Sequence, residues 1–208
     1  ASQIQANATD QGAGGQVIVW SDGLTWYSGA IAARGGPNGG PGGFVELSAK
    51  GELAVRGTVD LTAPLGPLGT LLLDPQDIRI VPGVLGSDDS QLSSNVPFGQ
   101  PENQILRTDQ GFFTGPPTPV DFTISEGRLE LLLSTANLIL EAERDIVLEN
   151  LLDDRLSLRM ANGGSVRFTA GRDVRFLDSA DVLSTLGAPI TIQAGEAISI
   201  GRLETQGG

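Results

Sequence analysis

Gly14-Gly15-Gln16-Val17-Ile18-Val19 returns 28 residues further along the chain as Gly42-Gly43-Phe44-Val45-Glu46-Leu47. Gly29-Ala30-Ile31 and Gly57-Thr58-Val59 keep the same spacing. A fixed period of about 20 to 50 residues, made of short apolar-polar alternations and marked by glycine, is typical of a β-solenoid. Because one solenoid coil cannot bury its apolar face alone, the repeat predicts a stack of coils.

The period returns in the C-terminal half of the chain with different residues. Residues 138–148 align with residues 166–176, and again with residues 190–200, through the shared pattern Φ-x-Φ-x-Ala-x-x-x-Φ-x-Φ, in which Φ is apolar. Each alternating run predicts a strand with one buried face, and the Ala with its polar triplet predicts a corner between two strands. Equivalent strands should pair in parallel at about 4.8 Å. We expect the first apolar residue of each run to face inward, namely Val17, Val45, Leu138, Val166 and Ile190.

The repeat divides the chain into three parts of one continuous solenoid. Residues 1–80 are predicted to form coils, residues 81–120 an irregular loop insertion rich in Pro, Gly and Ser, and residues 121–208 a short helix followed by further coils. Ser125 is the predicted N-cap of that helix, with Glu126 in the first turn and an apolar face of Leu129, Leu132 and Leu133. We expect the helix to cover the flank of the solenoid or to seal the approach to the next coil.

Composition limits the partners and the chemistry. The net charge of −12 disfavours nucleic acid and anionic membranes, and no apolar run is long enough to insert into a membrane. With no Cys and no His, the chain cannot build a Ser-His-Asp or Cys nucleophile, an imidazole acid-base group or an ordinary zinc site. We therefore predict that the chain is not an enzyme and has no cofactor or catalytic residue. Its only lysine, Lys50, falls at a predicted coil corner.

Several motifs predict ordinary loops and not phosphate-binding or calcium-binding sites. The Gly-rich stretch 35–43 lacks a following Lys-Ser/Thr, so it predicts a turn between coils and not a phosphate cradle. Asp88-Asp89 and Asp153-Asp154 lack the spacing of a calcium loop and are predicted to be solvated acids. The chain lacks an initiator Met and stops at Gly207-Gly208, so we expect an internal or C-terminal piece of a longer protein.

Two alternatives to a purely structural chain stay open. Parallel β-helices can carry a carboxylate pair that cleaves glycosidic bonds, which would need a cleft with two carboxylates about 5 to 10 Å apart. A glycan-binding module would use an exposed aromatic ring: Trp26 and Tyr27 are adjacent in a strand, so they face opposite ways and one should point outward. The competing interpretation is that Trp20, Trp26 and Phe44 only close a coil edge.

Several runs resemble the filamentous-haemagglutinin-type exoproteins of two-partner secretion. They are residues 14–23, 29–36, 42–50 and 124–126, and above all the Leu-Leu-Leu-Asp-Pro-x-Asp-Ile block within 69–78. The resemblance implies a right-handed parallel β-helix, export through an outer-membrane β-barrel transporter, and an adhesive or matrix role at the surface of a Gram-negative bacterium. The Asn-Pro-Asn-Gly signatures of the transport region are missing, which leaves transporter recognition outside this segment.

The sequence thus predicts an all-β, right-handed parallel β-helix that serves as a rigid spacer and adhesion surface of a secreted or surface-exposed protein. The expected partners are neighbouring coils of the same longer chain, the outer-membrane transporter during export, and surface glycans or cell-surface receptors. The family resemblance supplies no catalytic residues.

Overall fold

The chain forms an all-β parallel solenoid of about five turns. The structure is a computed structural model that describes residues 2–55, 57–83, 122–132, 135–151, 153–158, 164–185 and 187–205. Most of the predicted loop insertion, residues 84–120, lies outside the described residues. Its predicted start is slightly early, because Val81 still belongs to a strand. The right-handed sense of the coil stays a prediction.

Three walls of parallel strands enclose the core. The first wall is one six-stranded sheet of β2 (Gln16–Ser21), β5 (Phe44–Ala49), β8 (Thr70–Asp74), β11 (Asn137–Ala142), β14 (Val166–Ala170) and β17 (Ile190–Ala194). The second wall contains β3 (Leu24–Tyr27) with β6 (Glu52–Val55), and a sheet ordered β10 (Phe122–Ser125), β9 (Ile78–Val81), β12 (Ile146–Leu148), β15 (Asp173–Phe176), β18 (Ala197–Ser199). The third wall contains β1 (Gln3–Gln5), β4 (Ala30–Ala32) and β7 (Thr58–Asp60), and separately β13 (Arg155–Leu158), β16 (Val182–Thr185) and β19 (Arg202–Thr205).

The register of the first wall confirms the predicted inward positions. Val17 pairs with Val45, and the row continues through Leu71 to Leu138, Val166 and Ile190. The inner members of this row are buried, whereas Val17 and Ile190 are half-buried and pack against the core from the two end strands. The alternation in the sequence therefore sets both the face and the pairing partner of each residue.

Glycine columns explain why the repeat is marked by Gly-Gly pairs. A Cβ placed on Gly43 would lie 2.1 Å from the carbonyl oxygen of Gly15, and a Cβ on Gly69 would lie 2.1 Å from the carbonyl oxygen of Gly43. Successive coils thus approach each other backbone to backbone at this corner. The predicted turn at 35–43 is confirmed, with Gly39 and Gly40 at φ angles of 129° and 116°.

The predicted short helix is confirmed as α1 (Glu126–Leu132). The Ser125 hydroxyl oxygen accepts a hydrogen bond from the Arg128 backbone N–H at 3.2 Å, as expected of an N-cap. Leu129 is fully buried in the core, while the side chains of Leu132 and Leu133 lie outside the described residues. The start of the helix and its cap were therefore readable from the sequence.

Helix α1 lies within the stack and not on its flank, which leaves the other predicted position, at the approach to the next coil. Arg128 Nη2 donates to the carbonyl oxygen of Gly57, just before β7, at 2.6 Å. The Ser157 N–H of β13 donates to Glu130 Oε1 of the helix at 2.8 Å. The helix thus sits between the edge strands of the two third-wall sheets and bonds to both, taking the place of one strand.

Strand β10 precedes the helix and reverses the order of the stack. It pairs in parallel with β9 on the side opposite β12, so the chain steps back towards the earlier coils before it enters α1. The Gly127 N–H donates to the Gly83 carbonyl at 2.8 Å, and the Gly83 N–H donates to Glu126 Oε1 at 3.2 Å. Gly83 and the start of α1 are thereby held together.

Candidate functional site

The outer face of the first wall carries an aromatic and apolar surface. Because Val17 and Val19 face the core, Ile18 and Trp20 of the same strand point outward, and Trp20 is 51% exposed. Across adjacent strands of the wall, Trp20 is the register partner of Ser48, and Ser48 is the register partner of Asp74. Trp20 and Asp74 are therefore two strand spacings apart, about 10 Å, in one row.

A groove of about 340 Å³ lies at the end of this row, at the corner between the first and second walls. It crosses four successive coils, and its polar and aromatic lining residues are Trp20, Lys50, Asp74, Gln76, Glu141 and Glu143. Ser48, which stands in the row between the indole and Asp74, is small and buried. The groove runs along the stack, so an occupant would lie parallel to the solenoid axis.

Lys50 occupies the aromatic end of the groove. Its Nζ lies 5.3 Å from the centroid of the Trp20 ring, a cation–π geometry, and 2.9 Å from Asp22 Oδ1. Lys50 is in the bend that follows β5, which confirms its predicted corner position. The side chains of Lys50 and Asp22 are 66% and 76% exposed, so their ion pair is worth at most about 1 kcal/mol.

Carboxylates dominate the other end of the groove. Asp74 is half-buried, and burial raises its pKa to about 6, with further increases from the negative charges of Glu141, Glu46 and Glu143. Asp74 and Glu141 each lie one residue beyond the paired Leu73 and Leu140, so they sit side by side on adjacent strands about 5 Å apart. The groove therefore carries an excess of negative charge.

The two aromatic residues predicted to contact glycans do face opposite ways. Tyr27 points inward: it is 7% exposed and its hydroxyl donates to the Thr58 carbonyl at 2.8 Å. Burial raises the pKa of Tyr27 to about 12. Its ring is closed to a sugar, so Tyr27 as a contact residue is wrong, while half-buried Trp26 stays a hypothesis.

Trp20 lies on the edge strand β2, and half of its surface faces solvent. The interpretation that it only closes a coil edge stays a prediction. The signal for its exposure was present in the alternation of β2, in which inward Val17 and Val19 require that Trp20 point outward. Phe44, of the same proposed edge, is half-buried.

A second corner of the stack carries an aspartate ladder. Asp77 Oδ1 accepts the Asp145 N–H at 3.2 Å, Asp145 Oδ1 accepts the Asp173 N–H at 3.2 Å, and Asp173 Oδ1 accepts the Ala197 N–H at 3.1 Å. Each aspartate thus fixes the backbone of the following coil. The ladder ends where Ala replaces Asp.

Arginines interleave with this ladder. Arg144 pairs with Asp77, and Arg172 Nη2 lies 2.5 Å from Asp145 Oδ2, so each arginine neutralises the aspartate of the preceding coil. A small groove of about 180 Å³ beside them is lined by these same residues with Arg79 and Arg175. Because the charges are matched within the ladder, its evident effect is to hold the coils in register.

Two acids near α1 are buried away from both grooves. Glu126 is 4% exposed and Asp181 is fully buried. Glu126 Oε2 and Asp181 Oδ2 have no hydrogen-bond partner within the described part of the chain. Burial raises the pKa of Glu126 to about 7, an increase partly offset by the hydrogen bond from Gly83 and reinforced by nearby carboxylates. We expect the buried carboxyls of Glu126 and Asp181 to affect the stability of the folded chain.

The predicted solvated acids form no site in the described part of the chain. Asp153 Oδ1 accepts the Arg155 N–H within a turn, and Asp88-Asp89 lie outside the described residues. Across the described ranges, no three acidic, His or Cys side chains are grouped to hold a metal ion. Nor does any helix there have the length and apolar character needed to span a membrane.

No protein-family model matches this chain, and no curated protein matches it. The resemblance to filamentous-haemagglutinin-type exoproteins therefore stays a prediction, and the interpretation of the groove depends on its own geometry.

Proposed function

We propose that the chain is a structural and adhesive segment of a large bacterial surface protein that is secreted by the two-partner route. The observation that carries the proposal is the uninterrupted first wall, in which six parallel strands stay in register from β2 to β17. A stack of this kind transmits length and stiffness through repeated main-chain hydrogen bonds and buried apolar columns. Such a body serves as a spacer that holds contact surfaces away from the cell.

The two ends of the stack suit a segment that joins other coils. Strands β2 and β17 are the edges of the first wall, and apolar side chains at the C-terminal end, such as Ile198 and Leu203, are exposed. Unpaired strand edges recruit further strands. Neighbouring coils of the same longer chain are the natural partners for both ends.

A secretion assay tests the two-partner route directly. The gene with its flanking sequence would be expressed in a Gram-negative host with and without its partner transporter gene, and the chain would be followed by surface labelling and protease shaving of intact cells. We expect surface exposure only with the transporter. Equal surface exposure without the transporter, or retention inside the cell in both strains, would contradict the proposal.

Small-angle scattering tests separately whether the chain folds as a rigid stack. Six strands spaced by about 4.8 Å make a wall about 24 Å tall, close to the length of about 20 Å of a six-residue strand, so the purified chain should give a compact profile. The Val45→Asp variant buries an unpaired charge in the core and should lose that profile. Val45→Ile, an apolar replacement at the same position, is the matched control and should keep it. An expanded profile, as of an unfolded chain, from the unaltered protein would refute the rigid stack.

A carbohydrate-active enzyme is the second candidate, favoured by one observation. Asp74 and Glu141 stand on adjacent strands in an open groove, and Asp74 has a raised pKa of about 6, as a general acid requires. Pectins, alginates, xylans and glycosaminoglycans would be incubated with the chain, with and without calcium. Product release that disappears in Asp74→Asn, but not in the exposed control Asp22→Asn, would establish the enzyme; no release in any reaction supports the spacer.

A further inference from the structure

We propose that the groove lined by Trp20, Lys50, Asp74, Glu141 and Glu143 binds a cationic saccharide, an oligosaccharide of hexosamine units with free amino groups. The inference deepens the proposed adhesive function, on which it rests. It assigns the apolar face of a sugar ring to Trp20 and the ammonium groups to the carboxylates.

Lys50 indicates the chemistry that the aromatic end accepts. Its ammonium group already lies over the Trp20 ring at 5.3 Å from the centroid, so the ring binds a cation of the chain itself. The lysine is well exposed, and its partner Asp22 is more so. Separating an exposed ion pair of this kind costs little free energy. A ligand ammonium or sugar ring can therefore take the place of Lys50 on the indole.

Charge complementarity sets the sign of the ligand. Asp74, Glu141 and Glu143 line the groove against the single lysine, and the whole chain carries a net charge of −12. A neutral glycan would leave these carboxylates without a counter-charge, and a sulfated or uronic-acid glycan would be repelled by them. An aminated glycan supplies one cation per ring when the pH is below the pKa of its amino groups.

The spacing of the groove favours a saccharide over a lysine-rich peptide. Trp20, Asp74 and Glu141 stand on rungs spaced by about 4.8 Å, so the row from the indole to Glu141 spans about 14 Å. An extended peptide advances about 3.3 Å per residue and presents lysines on one side only every second residue, which falls out of step with the rungs. A β-1,4-linked sugar chain advances by nearly one rung per ring and turns its amino groups to the same side at every second ring, which matches the two-rung separation of Trp20 and Asp74.

The test compares three ligands by isothermal titration calorimetry on the full chain. A fully deacetylated glucosamine hexamer is the probe, its N-acetylated counterpart is the neutral control, and hexalysine is the peptide control. We expect binding of the deacetylated hexamer only, with an affinity that falls as salt is raised. Equal binding of the N-acetylated hexamer, or tighter binding of hexalysine, would overturn the inference.

Point variants separate the two ends of the groove. Trp20→Ala should weaken binding of the deacetylated hexamer about tenfold and Asp74→Asn about fivefold, because each removes one of the two contacts. Lys50→Met should strengthen binding several-fold, since it frees the indole and removes the competing cation. The exposed Leu177→Ala, outside the groove, is the matched apolar control and should bind as the unaltered chain does.

The direction of the Lys50→Met effect is decisive. A weaker complex would mean that Lys50 contacts the ligand and does not stand in for it, and this result overturns the inference. Circular dichroism of each variant checks that the coils remain folded. If no oligosaccharide binds while secretion and the compact scattering profile persist, only this inference fails and the spacer role stands.

Discussion

Replacing Glu126 by Gln should remove a pH-dependent loss of stability. Glu126 is buried at the start of α1, and only one of its carboxylate oxygens, Oε1, is bonded there, to the Gly83 N–H. Burial raises its pKa from an ordinary 4.5 to about 7, with Asp153, Glu130 and Asp181 adding to the increase. The folded chain therefore holds the proton more tightly than the unfolded chain does.

The size of the effect follows from these two pKa values. Below pH 4.5 the carboxyl is protonated in both states, so its contribution to stability is fully present. As the pH rises from 4.5 to about 7, the unfolded state ionises first, and each pH unit costs the folded state about 1.4 kcal/mol. Above pH 7 the accumulated penalty is about 3 kcal/mol. Gln keeps the acceptor for Gly83 and cannot ionise, so the variant should not pay this penalty.

Urea unfolding followed by circular dichroism at several pH values from 4 to 8 measures the difference. The free energies of unfolding of Glu126→Gln and of the unaltered chain should agree at pH 4 and diverge by about 3 kcal/mol, in favour of the variant, by pH 8. Glu196→Gln removes the same charge from an exposed bend and is the matched control. If the Glu126→Gln curve runs parallel to the unaltered one at every pH, the carboxyl is not desolvated and the reasoning fails.

Three further substitutions or titrations test the stack. Gly43→Ala forces a Cβ against the carbonyl oxygen of the preceding coil and should cost about 1 to 3 kcal/mol in thermal unfolding, whereas Gly23→Ala, with open space around its Cβ, should change little. Asp145→Ala removes a rung of the aspartate ladder and should lower the free energy of unfolding by about 2 kcal/mol. The exposed Asp22→Ala should lower it by about 0.5 kcal/mol or less, and equal losses in the two variants would mean that the ladder does not stabilise the stack. Tyr27 is the only tyrosine, so ultraviolet titration of the folded chain reports it alone and should give a midpoint near 12; a midpoint at 10 would mean an exposed phenol.

Most of the wall structure could be predicted because the residues of each strand are enough to set its buried face. Alternation at Val17 and at Leu138 sets the inward face, and the repeat spacing sets the partner, so no distant information is needed. The position of α1 could not be predicted in this way. Its cap at Ser125 is local, but its place in the third wall depends on Arg128 and Glu130 meeting strands from other coils.

The groove was harder to predict for the same reason. Outward Trp20 follows from the alternation of one strand, yet its neighbours come from three other coils. Asp74 and Glu141 become adjacent only because β8 pairs with β11 across the whole inserted stretch of chain. The repeat spacing does not reveal this pairing, because two strands can stack whatever the length of the insertion between them.

The helix that interrupts the third wall gives the stack a preferred direction of bending. At that level the first wall is a continuous sheet, whereas the third wall is joined through α1 and Thr135, by the hydrogen bonds of Arg128, Glu130 and Thr135. A lateral load is therefore resisted by an unbroken ladder of strands on one side and by a helix with its side-chain hydrogen bonds on the other. We expect the stack to bend most easily at α1, with the strands of the first wall as the hinge.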